Sequence, residues 1–158
     1  MIPTGAENVP IQMTEENKLK TAGSVMPDIV EELPPRPIEV RRTARVIADV
    51  IGSTAWASGK SPRGLAATSF YLAELIHEEE GQLSQERIDD HVGVSYGTIR
   101  KYYRVLPEVF VQNAEESDVA RFGNPSFVMD RLSTFIRAEQ HPDDSIGVFN
   151  YQRLEHID

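Results

Sequence analysis

Between the break at Ser58-Gly59-Lys60-Ser61-Pro62 and the glycine at position 81, the segment Arg63 to Glu79 runs almost without polar interruption until Glu74. Leu65, Ala66, Ala67, Phe70, Tyr71, Leu72, Ala73, Leu75 and Ile76 leave little polar face, and a helix apolar on most sides belongs inside a bundle. Ser61 suits an N-cap, Pro62 the first helical position, and Gly81 the end. No run of about 18 apolar residues exists, so no transmembrane helix is expected. The segment is the expected central, most buried helix, and the rest of the chain has to pack around it.

The flanking sequence supplies the partners. Residues 1–25 show no periodicity and read as a flexible lead-in. Pro27 opens a short helical segment, Asp28 to Leu33, and Pro34-Pro35-Arg36-Pro37 forms a stiff extended joint. Val40, Ala44, Ile47, Ala48 and Ile51 recur at spacings of three and four and predict a helix from Ile38 to about Trp56. Downstream, Ser84 caps a short helix, Gln85 to His91, although Arg87 occupies the place where a capping box would need Glu or Gln. Val92-Gly93-Val94 is a tight turn with Gly93 free to adopt positive φ. Ser95 caps a helix from Tyr96 to about Leu106, which Pro107 is expected to stop. An acidic connector, Glu115-Glu116-Ser117-Asp118, leads to Asn124-Pro125 and an amphipathic helix to about Glu139, with Val128, Leu132, Phe135 and Ile136 on one face. The expectation is an all-α chain of about six helices: a flexible acidic segment over 1–25, one domain over 26–110, and a connector, helix and tail over 111–158.

Charge and composition narrow the function. The net charge is −9 over 158 residues. Residues 1–35 carry −4, residues 36–110 balance at ten of each sign, and residues 111–158 carry −5. Acidic flanks around a neutral middle fit either solvating tails or a high-salt cytoplasm, and four lysines (Lys18, Lys20, Lys60, Lys101) fit a salt-loving archaeon or its virus. The chain has no cysteine, which removes disulfides, thiol catalysis and cysteine-ligated zinc. The N-terminus lacks a basic start followed by an apolar stretch, so a cytoplasmic location is expected. His77, His91, His141 and His156 show no ligand spacing, the acidic runs read as solvated faces, and no phosphate loop or Ser-His-Asp set stands out. Neither a metal, nor a cofactor, nor an enzymatic activity is expected.

The segment most informative about function is Leu83 to Arg100. An eight-residue helix, a glycine turn and a second helix opening Ser95-Tyr96-Gly97-Thr98 match a helix-turn-helix, with Ile88, Val94 and Ile99 at its shared apolar positions. Such a unit offers the early residues of its second helix to the DNA major groove.

The residues around it carry a resemblance. Ser58-Gly59-Lys60-Ser61-Pro62-Arg63-Gly64-Leu65-Ala66-Ala67, followed by Phe70-Tyr71-Leu72-Ala73, resembles the third helix of the cyclin-like repeat in the family of transcription factor IIB and archaeal factor B. Gln85, Ile88, Gly93-Val94, Thr98-Ile99-Arg100 and Tyr103 are similar to the segment that follows it there, and Met26 to Leu33 with Val40 and Ala44 to its first two helices. The resemblance covers roughly 85 of the 158 residues. It implies a single cyclin-like five-helix domain containing a helix-turn-helix, with an extra C-terminal helix. It further implies docking on promoter DNA beside a TATA box bent by the TATA-binding protein. The base-facing positions are then Gly97, Thr98 and Arg100, with Arg100 placed to pair bidentately with a guanine. Gly97 replaces a small apolar residue and brings no methyl group to thymine. Lys60, Arg63, Lys101 and Arg104 are the implied phosphate contacts. The family's zinc ribbon needs cysteine ligands and the family has two repeats, so the expectation is a reduced relative: a regulator, a promoter competitor or a partner-dependent subunit.

Alternatives stand beside these readings. Arg100 either contacts DNA or pairs with Asp89 or Asp90. Tyr102, Tyr103 and Trp56 read as core aromatics. Arg41, Arg42 and Arg45 open a helix where the macrodipole disfavours cations, so either Glu31 and Glu32 or an anionic partner should offset them. The C-terminal helix either packs across the domain or forms an interface. For the whole chain, the alternative to DNA binding is a cyclin-like adaptor that holds transcription or replication partners without touching DNA; a homodimeric repressor is a third.

Overall fold

A computed structural model describes residues 20–140, and every element among them is helical. Helix α1 spans Ala22–Glu32, α2 Ile38–Gly52, α3 Pro62–His77, α4 Gln85–Val92, α5 Tyr96–Tyr102, α6 Leu106–Asn113, α7 Glu116–Val119 and α8 Pro125–Gln140, with one 3-10 turn at Ala55–Ala57. The all-α architecture is the expected one. The assignment of residues beyond His141 to a polar tail lies outside the described residues, as does most of the acidic lead-in.

α3 is the axis of the bundle. Ser61 Oγ accepts from the Gly64 amide at 3.0 Å and Pro62 takes the first turn. Every residue from Gly64 to Ile76 is buried. α1, α2, α4, α5 and α8 all pack against it. Ile29 from α1, Ile47 and Ile51 from α2, Ile88 from α4 and Ile99 from α5 are fully buried around Phe70, Leu72 and Ile76. Each such side chain contributes about 1.5–3 kcal/mol of transfer free energy, which is what a bundle of short helices depends on.

Several boundaries differ from the sequence expectation. α1 starts at Ala22, so residues 22–25 belong to the domain and Pro27 sits inside a helix. Thr21 and Ser24 form a reciprocal capping box at 3.2 and 2.8 Å that fixes the earlier start. In the second turn Pro27 removes only one backbone bond, the one Gly23 would have accepted. α2 stops at Gly52 and does not reach Trp56. The Ser53 and Thr54 hydroxyls donate back to the Val50 and Ile51 carbonyls at 2.9 and 2.7 Å, a local alternative to continuing the helix. The helix from Tyr96 ends at Tyr102, and Pro107 does not stop it but occupies the first turn of α6, where a missing amide costs nothing. Residues 106–119, largely read as connector, hold α6 and α7.

α8 completes the core. Val128, Leu132 and Phe135 are buried as its apolar face predicts, whereas Ile136 is only half-buried. The helix packs on α6 and α3, so it packs across its own domain. Arg131 donates to the Leu75 and Ile76 carbonyls at the end of α3, both at 3.2 Å, and to the Glu78 carboxylate at 2.7 Å. A cation on the orphan carbonyls of a helix C-terminus is favourable. Glu78 itself takes the left-handed conformation (φ 52°) that ends α3.

Candidate nucleic-acid interface

Two hydroxyls, one carboxylate and one glycine set the geometry of the α4–α5 unit. Ser84 Oγ accepts from the Arg87 amide at 3.1 Å and starts α4. Gly93, at φ 72°, closes it in the left-handed region. Ser95 Oγ accepts from the Gly97 amide at 3.0 Å, and Asp89 Oδ2 accepts from the Tyr96 amide at 3.1 Å, so α5 is capped from its own loop and from α4. Ile88, Val94 and Ile99 are buried between the two helices and α3, as the pattern predicts.

The outer face of α5 carries Tyr96, Gly97, Arg100 and Lys101, and Arg104 follows in the turn after it, all exposed. The Arg100 guanidinium lies 5.0 Å from the Tyr96 ring centroid. Among the described residues no carboxylate comes within ion-pair distance of Arg100 or Lys101. Asp89 is engaged by the α5 amide and does not pair with Arg100. Lys101 Nζ lies 5.4 Å from the Tyr102 ring. Thr98 is half-buried and turned inward: its methyl sits 3.3 Å from where a Cβ on Gly64 would stand. Of the three expected base-facing residues, the structure leaves Gly97 and Arg100 on the surface and commits Thr98 to the α3 contact.

The expected phosphate contacts separate in the same way. Arg63 holds Glu32 at 2.7 and 3.3 Å and also donates to the Val92 carbonyl, tying α1, α3 and α4 together. That hydrogen bond holds the Glu32 carboxyl below its ordinary range and raises the Arg63 guanidinium above its own. Lys60 Nζ donates to the Trp56 carbonyl at 2.6 Å and lies 4.4 Å over the indole ring. Arg104 meets Glu139 of α8 at 3.6 Å. Trp56 is half-buried and stands edge-on to Tyr102 at 5.6 Å. Tyr103 is the core aromatic, edge-on to Tyr71 at 5.3 Å.

Two polar contacts escaped sequence reasoning. Arg36, read as part of an extended joint, sends a bidentate fork to the buried Glu74 at 2.7 and 2.9 Å. Burial pushes the Glu74 carboxyl above its usual range, with Arg36 acting against that. The signal was Glu74 itself, the one acid in an otherwise apolar helix. His77 Nε2 lies 2.7 Å from Thr43 Oγ1, and burial lowers its pKa. The α2 arginines are not offset by Glu31 or Glu32: Arg45 pairs with Asp49 at 3.1 Å, Arg42 approaches Glu39 at 3.9 Å, and Arg41 donates to the Arg36 carbonyl. No group of three or more His, Asp or Glu among the described residues is arranged to hold a metal ion, and no described helix is long and apolar enough to cross a membrane.

Residues 15–109 match the family model described as transcription factor TFIIB repeat. The chain is similar to transcription initiation factor IIB of Saccharolobus shibatae, 36% identical over 69 residues, which is 44% of this chain and 22% of that protein. Transcription initiation factor IIB 1 of Saccharolobus solfataricus matches equally, at 36% over the same length and shares. Transcription initiation factor IIB of Methanococcus aeolicus is 35% identical over 72 residues, 46% of this chain and 21% of that protein. The match therefore spans about a fifth of each curated relative. No solved structure gives a significant match.

Proposed function

The chain belongs to the transcription factor TFIIB repeat family, and from that premise we propose that it is a transcription-initiation-factor-like protein that binds promoter DNA through α4 and α5, alongside a TATA-binding protein. The observation that carries this reading is the outer face of α5. Arg63, Arg36, Arg45, Arg121 and Arg131 are each matched to a carboxylate. Arg100 and Lys101, on the second helix of the helix-turn-helix, meet no carboxylate among the described residues. In a chain of net charge −9, two exposed cations on one short helix with no acid of the described residues beside them fit an external anion.

The roles divide by geometry. Arg100 is the base-reading residue, its fork steadied by the Tyr96 ring and free to address a guanine edge. Gly97 at the start of α5 lets that helix approach the groove closely. Lys101 and Arg104 act on phosphates and set register. Lys60 adds a cation beside Tyr102, 5.9 Å from its ring. Arg63 and Thr98 hold the unit together. The acidic remainder of the chain opposes non-specific phosphate attraction, which fits work at high salt, where screening shortens to about 3 Å at molar ionic strength.

A gel shift on TATA-containing promoter DNA tests the proposal, with and without an archaeal TATA-binding protein, for the native chain and Arg100→Ala. A supershift that requires the TATA-binding protein and weakens with Arg100→Ala is expected. The absence of any shift under all conditions would sink the reading and leave a protein-binding adaptor in its place.

A further inference from the structure

The turn between α2 and α3 stands against the end of α5. Thr54 Oγ1 accepts from the Ala57 amide at 3.3 Å, and the Lys60 amide donates back to the Ala57 carbonyl at 3.0 Å. The loop so tied holds Trp56 edge-on to Tyr102, the last residue of α5, at 5.6 Å. Two ammonium groups converge on that same ring: Lys60 Nζ from the turn at 5.9 Å and Lys101 Nζ from α5 at 5.4 Å. Neither lysine meets a carboxylate among the described residues. Trp56 and Tyr102 are both half-buried, and the polar tip of such a side chain normally finds a partner. Among the described residues neither the Trp56 Nε1–H nor the Tyr102 hydroxyl has one, and neither is a buried unpaired atom, so both tips face solvent.

We propose that Trp56, Lys60, Tyr102 and Lys101 form one site for the phosphodiester backbone of a duplex, built from two elements and distinct from the base-reading residue Arg100. This deepens the DNA-binding reading of α5 and rests on it. The chemistry is that of an anion. Two cations drawn to one ring repel each other unless opposite charge joins them, and a phosphate offers acceptors to the ammonium groups, the indole N–H and the phenol together. Lys60 uses one of its three N–H donors on the Trp56 carbonyl at 2.6 Å and keeps two for a ligand. A stacked base fits less well: Lys60 Nζ already lies 4.4 Å over the indole and covers a face that a base would need. Such a contact reads no sequence. It fixes how far along the duplex α5 enters the groove.

Trp56 is the only tryptophan of the chain, so its emission reports on the site directly. Titrating the full chain with a promoter duplex, or with a shuffled duplex of the same length, is expected to change that emission. Lys60→Gln and Lys101→Gln are each expected to weaken both duplexes alike. Each should also lower the slope of log affinity against log salt by about 0.9, the signature of one lost phosphate contact, whereas Lys60→Arg keeps the slope. Trp56→Phe retains a ring and removes the N–H, and is expected to weaken binding about two- to tenfold with the slope unchanged. Lys101 is exposed, so Lys101→Gln carries the test if loss of Lys60 unsettles the turn. A duplex that binds with the emission unmoved, or with the slope unaltered in a glutamine variant of native melting midpoint, overturns the site and leaves the reading of α5 standing. A native chain that binds no duplex at any salt refutes that reading, and the site with it.

Discussion

The guanidinium of Arg100 sits 5.0 Å from the ring centroid of Tyr96, one turn earlier on α5, with no carboxylate of the described residues in ion-pair range. A stacked cation on an exposed helix is held in a narrower set of rotamers than an unsupported one. The ring contact at such a site is worth about 0.5–1 kcal/mol. Tyr96→Leu is therefore expected to weaken duplex binding by about two- to fivefold without lowering the thermal midpoint, because the ring is on the surface. A titration by fluorescence anisotropy beside a melting curve checks both halves, and an unchanged affinity would show that the stacking does not prepare Arg100.

The buried fork between Arg36 and Glu74 makes the opposite kind of claim, about stability. Both side chains are almost wholly out of water. Removing one partner leaves a charge stranded in the core, which costs about 3–5 kcal/mol. Arg36→Met is expected to lower the unfolding free energy obtained from urea titration by that order. The pair replaced together, Arg36→Met with Glu74→Leu, should recover most of the loss. A double variant as unstable as the single one would contradict the assignment.

His77 gives a pH dependence. Its ring lies against Phe127 and Thr43, with Glu39, Glu79 and Arg131 acting on it at longer range, and burial lowers its pKa from the ordinary 6.5. The unfolded chain thus takes up a proton near pH 6.5 while the native state does not. Stability from this group is fully present above pH 6.5 and is lost as pH falls through the depressed native value. Thermal midpoints of native protein and His77→Gln should diverge in slope below pH 6.5, with the variant flatter. Parallel profiles would show that His77 does not titrate between the two states.

α8 is predicted to be part of the cooperative domain and not an appendage. Leu132 is fully buried, so Leu132→Ala should cost about 2–5 kcal/mol of global stability in a single urea transition. A second, earlier transition, with the main one unmoved, would mean that α8 opens by itself.

Which of these features the sequence made legible depends on how local their causes are. The α3 core and the α4–α5 unit rest on apolar runs and on caps at Ser61, Ser84 and Ser95, all within a few residues of the elements they start. Proline misled twice, at Pro27 and Pro107, because its helix-breaking sign depends on whether it falls in an early turn, and the caps that decide this are weak signals. Partners at long range were opaque: Arg36 meets Glu74 and Arg63 meets Glu32 only once the bundle forms. That is why Arg63 read as a phosphate contact and Arg36 as nothing. Arg100 is on the surface, as either of its readings required, but nothing in the sequence indicated that Asp89 caps Tyr96 and leaves Arg100 without an acid among the described residues.

The most direct test of the account compares two exposed arginines of equal charge. Anisotropy titrations of a promoter duplex with Arg100→Ala, on α5, and with Arg42→Ala, on α2, separate specific reading from bulk charge. Loss of a bidentate base contact corresponds to about 1–3 kcal/mol, roughly 5- to 150-fold. The account predicts a loss in that range for Arg100→Ala, concentrated on the cognate sequence, and less than about twofold for Arg42→Ala. Equal losses for the two variants, or none for Arg100→Ala, would contradict it.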